Sequence, residues 1–166
     1  MKALFIGRFQ PFHNAHLSDI KLALKEGYKI IIAVGSSQES GTSDNPFSYE
    51  ERKEMIKMVL EAHKIFDYDI IPVPDINDDR KWVDHVKKII HDFDIIYTGN
   101  DFTEKLFKEK NIKVRKIKLI PNVNATEIRK RIIHGDNWGE LVPKEVAEYM
   151  GEIGGVDKIR NINGLD

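Results

Sequence analysis

The chain has 166 residues, no cysteine and a formal net charge of -1 from 26 basic and 27 acidic residues. This length fits one core, so we predict a single domain over residues 1–166. The missing cysteines exclude disulfides and thiol chemistry, and the balanced charge predicts no nucleic-acid partner. No stretch approaches the ~20 apolar residues that cross a bilayer and no signal peptide is evident, so we expect a cytoplasmic protein without a membrane partner.

Five short apolar segments have strand character, and stretches with helical periodicity separate them. The second segment is a continuous apolar run, which is typical of a strand covered on both faces of a parallel sheet. With right-handed crossovers, the pattern predicts an α/β fold, namely a doubly wound, Rossmann-like domain with a five-stranded parallel sheet and a C-terminal helical segment. The predicted strands are Ala3–Ile6, Lys29–Val34, Tyr68–Val73, Asp94–Tyr97 and about Lys113–Leu119.

Capping residues and glycines mark the ends of the predicted helices. Ser48 and Glu51 form a capping-box pattern, which predicts a helix over Tyr49–Ala62. Asn124 gives a similar start to a helix over Ala125–His134. A last helix is expected to begin at Pro143. It is expected to break up at Gly151, Gly154 and Gly155.

Residues 7–16 read GRFQPFHNAH and follow the first predicted strand. Gly7 allows a ligand to approach the backbone closely, and the start of the next helix favours an anion. Arg8 adds a cation, while His13 and His16 share one helix face. The two histidines alone do not make a zinc site, because such sites usually need further protein ligands. The segment therefore predicts a site for nucleotide phosphates.

Other motif residues also follow predicted strands. In an open parallel sheet, ligands bind beyond the carboxyl ends of the strands, where the strand order reverses. The polar loop 36–44 follows the second strand, and two readings stay open for it, a cover that closes over substrate and a loop that is simply mobile. The residues after strands two, three and four are Ser36 and Ser37, Pro74 and Asp75, and Gly99 and Asn100.

The GRFQPFHNAH segment resembles the HxGH signature of the nucleotidyltransferase superfamily, with Ala15 where glycine is usual. Residues 124–131, NATEIRKR, and 141–144, LVPK, resemble archaeal-type nicotinamide mononucleotide adenylyltransferases. The resemblance implies direct in-line transfer of the adenylyl group of ATP to nicotinamide mononucleotide, forming NAD and pyrophosphate. It also implies Mg²⁺ bound mainly through the substrate phosphates and a homo-oligomer, with a hexamer as a frequent family form.

The resemblance assigns catalytic roles to His16, His13, Arg8 and Arg129. Taken alone, the basic run that contains Arg129 would be a solvated helix face. The wider set of ATP-binding residues follows the first and fourth strands or starts the helix at residue 125, although a simple turn would also account for the glycine and asparagine after strand four. This set is Gly7, Arg8, Phe9, His13, His16, Gly99, Asn100, Thr126 and Arg129.

Five residues are implied to bind the acceptor nucleotide. Trp82 would stack on the nicotinamide ring, although its helical spacing also suits a core position. Arg52 would bind substrate phosphate, although pairing with a neighbouring glutamate would equally account for it. Asp79 stands where asparagine is common in the family, which weakens the argument for amide recognition. The acceptor set is Arg52, Asp75, Ile76, Asp79 and Trp82.

Three alternative functions compete with this interpretation. The nearest is a related adenylyltransferase that uses nicotinic acid mononucleotide or phosphopantetheine as acceptor. The second is a nucleotide sensor without turnover, which the retained arginines and histidines disfavour. The third is a fragment similar to class I aminoacyl-tRNA synthetases, and the short chain without a KMSKS-like segment argues against it.

Overall fold

A computed structural model describes residues 1–165. The chain forms two compact units. The first contains Met1–Gly7, Ser18–Ser37 and Asp67–Leu119, and the second contains Arg8–Leu17, Gln38–Phe66 and residues 120–165. The single domain expected over residues 1–166 stays a prediction.

The first unit is built on a five-stranded parallel sheet with the strand order β3-β2-β1-β4-β5. This order confirms the predicted Rossmann-like α/β sheet. Because the order reverses at β1, the carboxyl ends of β1 and β4 form the switch point at which such sheets bind ligands. The strands are β1 Lys2–Gly7, β2 Lys29–Gly35, β3 Tyr68–Val73, β4 Ile95–Thr98 and β5 Val114–Lys116.

Seven α-helices accompany the strands within residues 1–165. The helices α3 and α4 belong to the first unit, and α2, α5, α6 and α7 belong to the second. Helix α1 begins in the second unit and continues into the first. The helices are α1 Asn14–Lys25, α2 Tyr49–Ala62, α3 Asp79–Ile89, α4 Asp101–Glu109, α5 Ala125–His134, α6 Lys144–Glu152 and α7 Gly155–Ile162.

One apolar cluster holds the sheet of the first unit against α3 and α4. Alternate strand residues point to the same face of a sheet, and here they meet the apolar stripe of α3 and the fully buried Phe107 of α4. Burial of apolar surface of this kind is the main stabilising contribution to a fold. The cluster consists of Leu4, Ile31, Ala33, Val73, Ile96, Val83, Val86, Ile90 and Phe107.

The fifth strand is shorter than the segment predicted for it, Lys113–Leu119. It pairs with β4 only over Val114–Lys116, because β4 itself ends at Thr98. Beyond that point the chain leaves the sheet, and Leu119 is 70% exposed.

Both helix starts inferred from capping residues are confirmed. The Ser48 amide donates to Glu51 Oε1 at 3.0 Å, and the Glu51 amide donates to Ser48 Oγ at 3.2 Å. At α5, Asn124 Oδ1 accepts the Glu127 amide at 2.8 Å. These side chains satisfy amides that the first helical turn leaves unpaired.

The predicted break in the last helix is also confirmed. The chain turns between α6 and α7 at Gly154, whose φ of 65° lies in the left-handed region that favours glycine. Pro143 was predicted to be the first residue of this helix, but it occupies the N-cap position just before α6. Within residues 1–165, none of the helices combines the length and the apolar composition that crossing a bilayer requires.

Replacing Ser48 with alanine should lower the free energy of unfolding by about 1 kcal/mol, because the N-cap hydrogen bond to Glu51 is lost. Urea denaturation followed by circular dichroism measures this change. Ser40→Ala, at an exposed loop position, is the control and should leave the midpoint unchanged. Equal midpoints for the two variants would contradict the capping role.

Candidate active site

The segment Arg8–His13 of the second unit is held rigidly by buried polar contacts. Gln10 is buried, and its side-chain amide donates to the Phe47 carbonyl and accepts from the Phe47 amide, both at 2.9 Å. Phe9 is also buried and has a φ of 53°, a conformation rarely adopted by residues with a side chain. Such strain persists only where surrounding contacts enforce it, and it is frequent at functional sites.

Arg52 on α2 fixes the start of this segment from inside the protein. Its side chain is 0% exposed, and its guanidinium Nη1 donates to the Arg8 carbonyl at 2.9 Å. The same group donates from Nε to the Ser48 carbonyl at 3.2 Å and from Nη2 to the Glu39 carbonyl at 3.5 Å. Since hydrogen bonds from a charged donor are stronger than neutral ones, Arg52 ties three backbone segments together.

Arg129 on α5 lies beside Arg8. Its Nη1 donates to the Gln10 carbonyl at 2.9 Å, and its Nη2 lies 3.5 Å from Thr126 Oγ1 and 4.0 Å from Asp44 Oδ1. Burial lowers the pKa of Arg129, the positive charge of Arg8 lowers it further, and Asp44 opposes both effects. Because Asp44 is 80% exposed, solvent weakens its pairing with Arg129. The two guanidiniums thus form a cationic site suited to an anion.

The two signature histidines form a stacked pair at the start of α1. Their ring centroids lie 3.5 Å apart with planes at 18°. His16 also contacts Phe9 and Phe12, with centroid distances of 4.6 and 5.2 Å. The His13 amide donates to His16 Nδ1 at 3.1 Å, so Nδ1 carries no proton. In its neutral form His16 therefore holds its proton on Nε2, where it is available to a ligand.

Both imidazoles are kept neutral near pH 7. Burial lowers the pKa of His13 to about 4, and burial together with His13 lowers the pKa of His16 well below its ordinary value. His13 Nδ1 is buried and has no hydrogen-bond partner within residues 1–165. An unsatisfied buried nitrogen is costly, so this atom fits a site that a ligand completes.

The first unit contains a pocket of about 410 Å³ that brings together four of the five predicted acceptor residues. It lies at the ends of β3 and β4, beside the starts of α3 and α4. Trp82 is partly buried, contacts Phe107 edge to face at 5.7 Å and also lines the pocket, so it has both a core role and an open surface. The lining residues are Asp75, Ile76, Asn77, Asp79, Trp82, Phe102, Thr103 and Leu106.

Two hydrogen bonds fix the loop that forms one wall of this pocket. Ser36, at the end of β2, donates from Oγ to Asp75 Oδ1 at 3.0 Å. His85 on α3 donates from Nε2 to the Pro74 carbonyl at 2.8 Å. The loop after β3 is therefore held from a neighbouring strand and from the following helix.

Gly99 and Asn100 follow β4, and local structure accounts for both. A Cβ on Gly99 would collide with the Leu119 side chain and lie 3.2 Å from the Ile117 carbonyl. Asn100 is the N-cap of α4, and its Oδ1 accepts the Thr103 amide at 2.9 Å. Their contact with ATP stays a prediction, as does that of Gly7, the last residue of β1.

Comparison with known proteins places the chain in a family. The cytidylyltransferase-like family model matches residues 4–134. The chain belongs to the cytidylyltransferase-like family. It is 45% identical over 168 residues to the nicotinamide-nucleotide adenylyltransferase of Methanococcus aeolicus, covering 100% of this chain and 97% of that protein. The corresponding protein of Thermoplasma volcanium is 40% identical and aligns with 99% of this chain and 94% of its own length.

A solved structure of a larger protein has the same fold as this family member. It is a bifunctional NMN adenylyltransferase/ADP ribose pyrophosphatase from Francisella tularensis, complexed with AMP and an Mn ion. It superposes with a TM-score of 0.77 and 28% identity over 98% of this chain and 52% of that one. This chain therefore spans about half the length of the Francisella protein. The family resemblance inferred from the GRFQPFHNAH segment is confirmed.

The predicted site residues of this cytidylyltransferase-like protein divide between its two units. The second unit brings together the segment from Arg8, the histidine pair and Arg129, whereas the acceptor pocket lies in the first unit. Arg52 belongs to the second unit and does not line the pocket. Within residues 1–165, no three histidine, aspartate or glutamate side chains are placed to hold a metal ion.

Sequence reasoning missed Gln10 and Phe102. A signal existed for Gln10, because a lone amide between Phe9 and the Pro-Phe pair has to find hydrogen-bond partners when its neighbours are buried. No comparable signal marked Phe102, since an aromatic residue near a helix start is usually read as core.

Replacement of His13 by glutamine should reduce the decrease in the free energy of unfolding that occurs as the pH falls. The unfolded chain binds a proton at His13 below its ordinary pKa of about 6.5, whereas the native chain does so only near pH 4. Stability therefore falls as the pH drops through this window, by about 3 kcal/mol for this residue. Urea unfolding of both proteins at intervals from pH 7 to pH 4 measures the difference.

The exposed His91 provides the control for this experiment, and the His91→Gln variant should follow the wild-type pH curve. Comparing slopes rather than absolute stabilities removes any packing change caused by the substitution. Parallel curves for His13→Gln and the wild type would contradict a neutral, desolvated His13.

Proposed function

We propose that this protein is a nicotinamide-nucleotide adenylyltransferase that joins ATP and nicotinamide mononucleotide to form NAD and pyrophosphate. The observation that carries the proposal is that Arg129, through the Gln10 carbonyl, and His16, through the Phe9 ring, both contact the segment that begins at Arg8 in the second unit. The side chains of Arg8, Arg129 and His16 are donors for a polyphosphate. Relatives with this name, 40–45% identical over almost the whole chain, support the same activity.

The reaction needs positioning and charge stabilisation rather than a covalent intermediate. A phosphate oxygen of the acceptor attacks the α-phosphorus of ATP, and the bond to the bridging oxygen of pyrophosphate breaks. Negative charge develops on the α-phosphoryl oxygens and on the leaving group. In the proposed mechanism, His16 donates from Nε2 to an α-phosphoryl oxygen, while Arg8 and Arg129 stabilise the departing pyrophosphate.

The remaining predicted ATP contacts have supporting roles in this proposal. His13, in the tautomer that carries its proton on Nδ1, would donate from this unpaired atom to a phosphate oxygen or to a bridging water. Thr126 lies in the first turn of α5, where free amides favour phosphate, and Phe9 holds His16 in place through its ring contact. Arg52 acts by holding the Arg8 carbonyl.

The pocket of the first unit is the proposed acceptor site. Its volume of about 410 Å³ suits a small ligand. Trp82 provides an indole face for the cationic nicotinamide ring, and the backbone at Asp75 and Ile76 provides hydrogen bonds to its carboxamide.

We include Mg²⁺ as the divalent cation of the reaction. Mg²⁺ prefers oxygen ligands, and the guanidiniums and imidazoles on the phosphate side supply none, so Mg²⁺ would be held mainly by substrate phosphates and water. When bound, the cation supplies charge neutralisation of the phosphates. The proposal also includes a homo-oligomer, for which the family resemblance gives a hexamer as one form, and a cytoplasmic location.

Activity is tested with purified protein, ATP, Mg²⁺ and a panel of acceptors that contains nicotinamide mononucleotide, nicotinic acid mononucleotide and phosphopantetheine. Pyrophosphate release and dinucleotide formation should be fastest with nicotinamide mononucleotide. Fastest release with phosphopantetheine would identify the related transferase instead. ATP binding by calorimetry, without turnover of any acceptor, would identify a sensor.

Two variants of His16 separate its donor role from its contact with the His13 amide. His16→Asn keeps an acceptor near the position of Nδ1 and removes the Nε2–H, so kcat should fall about 100-fold or more. His16→Gln restores an N–H near the Nε2 position and should recover part of this loss. Steady-state kinetics and thermal melting measure both properties, and His63→Asn at an exposed position is the control. Losses of activity that only follow losses of stability would make His16 structural.

A further inference from the structure

The acceptor pocket contains two features that the proposed reaction does not by itself require. One is the carboxylate of Asp79, and the other is the exposed ring of Phe102. Both belong to the first unit, where they lie at the first turns of α3 and α4.

Asp79 differs from the neighbouring carboxylates of Asp75 and Asp78 because no protein group binds its carboxylate. Asp75 accepts a hydrogen bond from Ser36 at 3.0 Å. Asp78 caps α3 and lies 3.4 Å from Arg80 Nε and 3.9 Å from Lys81 Nζ. The Asp79 carboxylate forms no hydrogen bond or ion pair with any group of residues 1–165.

No positive side chain of the described chain lines the pocket to balance Asp79. The two nearest cations in sequence, Arg80 and Lys81, pair with Asp78. The α4 wall contributes Phe102, Thr103 and Leu106, which carry no charge. The pocket lining therefore combines the carboxylates of Asp75 and Asp79 with the aromatic rings of Trp82 and Phe102.

Phe102 is unusual because core packing does not account for it. It is 54% exposed, whereas Phe107 on the same helix is fully buried in the core cluster. A large apolar side chain left exposed beside Trp82 in a pocket is typical of a ligand-binding surface. A flat ring bound against Trp82 would cover part of Phe102.

We propose that Asp79 and Phe102 determine acceptor selectivity, favouring a mononucleotide whose base is a cationic aromatic ring with a neutral substituent over one whose ring carries a carboxylate. This inference rests on the proposed function. A cationic ring is attracted to aromatic faces and to the uncompensated carboxylate. A ring carboxylate would face the like charge of Asp79 without a cation to balance it.

The charge part of the proposal is tested by comparing nicotinamide and nicotinic acid mononucleotides as acceptors. The wild type should show a higher kcat/KM with the nicotinamide form. Asp79→Asn should lower the ratio of the two kcat/KM values roughly fivefold, the size expected for one charge near the surface. Raising the salt concentration should lower the wild-type ratio and leave the Asp79→Asn ratio nearly constant, because salt screens exposed charges.

Asp84→Asn is the matched control, since it removes the same charge from the same helix at a position paired with Lys110 outside the pocket. Its ratio should equal that of the wild type. A ratio unchanged in Asp79→Asn, or changed equally in Asp84→Asn, would overturn the role of Asp79.

Phe102→Ala should raise KM for nicotinamide mononucleotide roughly tenfold, because the contact between its ring and the nicotinamide ring is lost. KM for ATP and the melting temperature should change little. Phe102→Tyr keeps the ring and should remain close to wild type, and Phe66→Ala removes a similarly exposed ring elsewhere. Equal increases in KM for both substrates would overturn the role of Phe102.

Calorimetric binding of the two mononucleotides, without ATP, separates this inference from the proposed function. If the wild type binds the nicotinamide form more tightly and Asp79→Asn reduces the difference, selectivity holds even where turnover fails. If turnover occurs but both mononucleotides bind equally to wild type, the selectivity inference fails and the proposed function stands.

Discussion

The site depends on two guanidiniums that the protein withdraws from water. Arg52 and Arg129 donate at 2.9 Å to the carbonyls of Arg8 and Gln10, which are two residues apart in one segment. Burial of a charge is costly unless hydrogen bonds compensate for it. Here the compensation comes from backbone carbonyls, so Arg129 both fixes the segment that contains Gln10 and contributes to the cationic site with Arg8. Repulsion between Arg8 and Arg129 remains, and a bound polyphosphate would relieve it.

The histidine pair shows how the fold determines a proton position. The amide of His13 donates a hydrogen bond to Nδ1 of His16. In an ordinary capping box, a glutamate or glutamine side chain accepts this hydrogen bond. The same hydrogen bond that starts α1 therefore leaves the proton on Nε2. Burial keeps the pair neutral, so in the proposed mechanism His16 acts as a directed donor and adds no positive charge to those of Arg8 and Arg129.

Sequence patterns predicted the features that depend on local chemistry. The strands, the capping box at Ser48 and the break at Gly154 follow from apolar runs, side-chain oxygens and backbone freedom. Contacts between side chains and groups far away in the sequence could not be predicted in this way. Arg52 has the same charge whether it meets a phosphate or three carbonyls, and only the fold buries it completely. Phe102 and Phe107 are the same residue type on the same helix, yet only Phe107 belongs to the core cluster.

The near-zero net charge of the chain conceals opposite charges at its two sites. The second unit presents arginines and neutral imidazole donors, while the pocket of the first presents carboxylates and aromatic rings. A triphosphate is favoured by the first kind of surface and disfavoured by the second, and a cationic ring has the opposite preference. Under the proposed function, charge would therefore favour a different site for each of these two groups. Because exposed charges act over roughly 10 Å at moderate salt, this sorting would operate during approach as well as in the bound state.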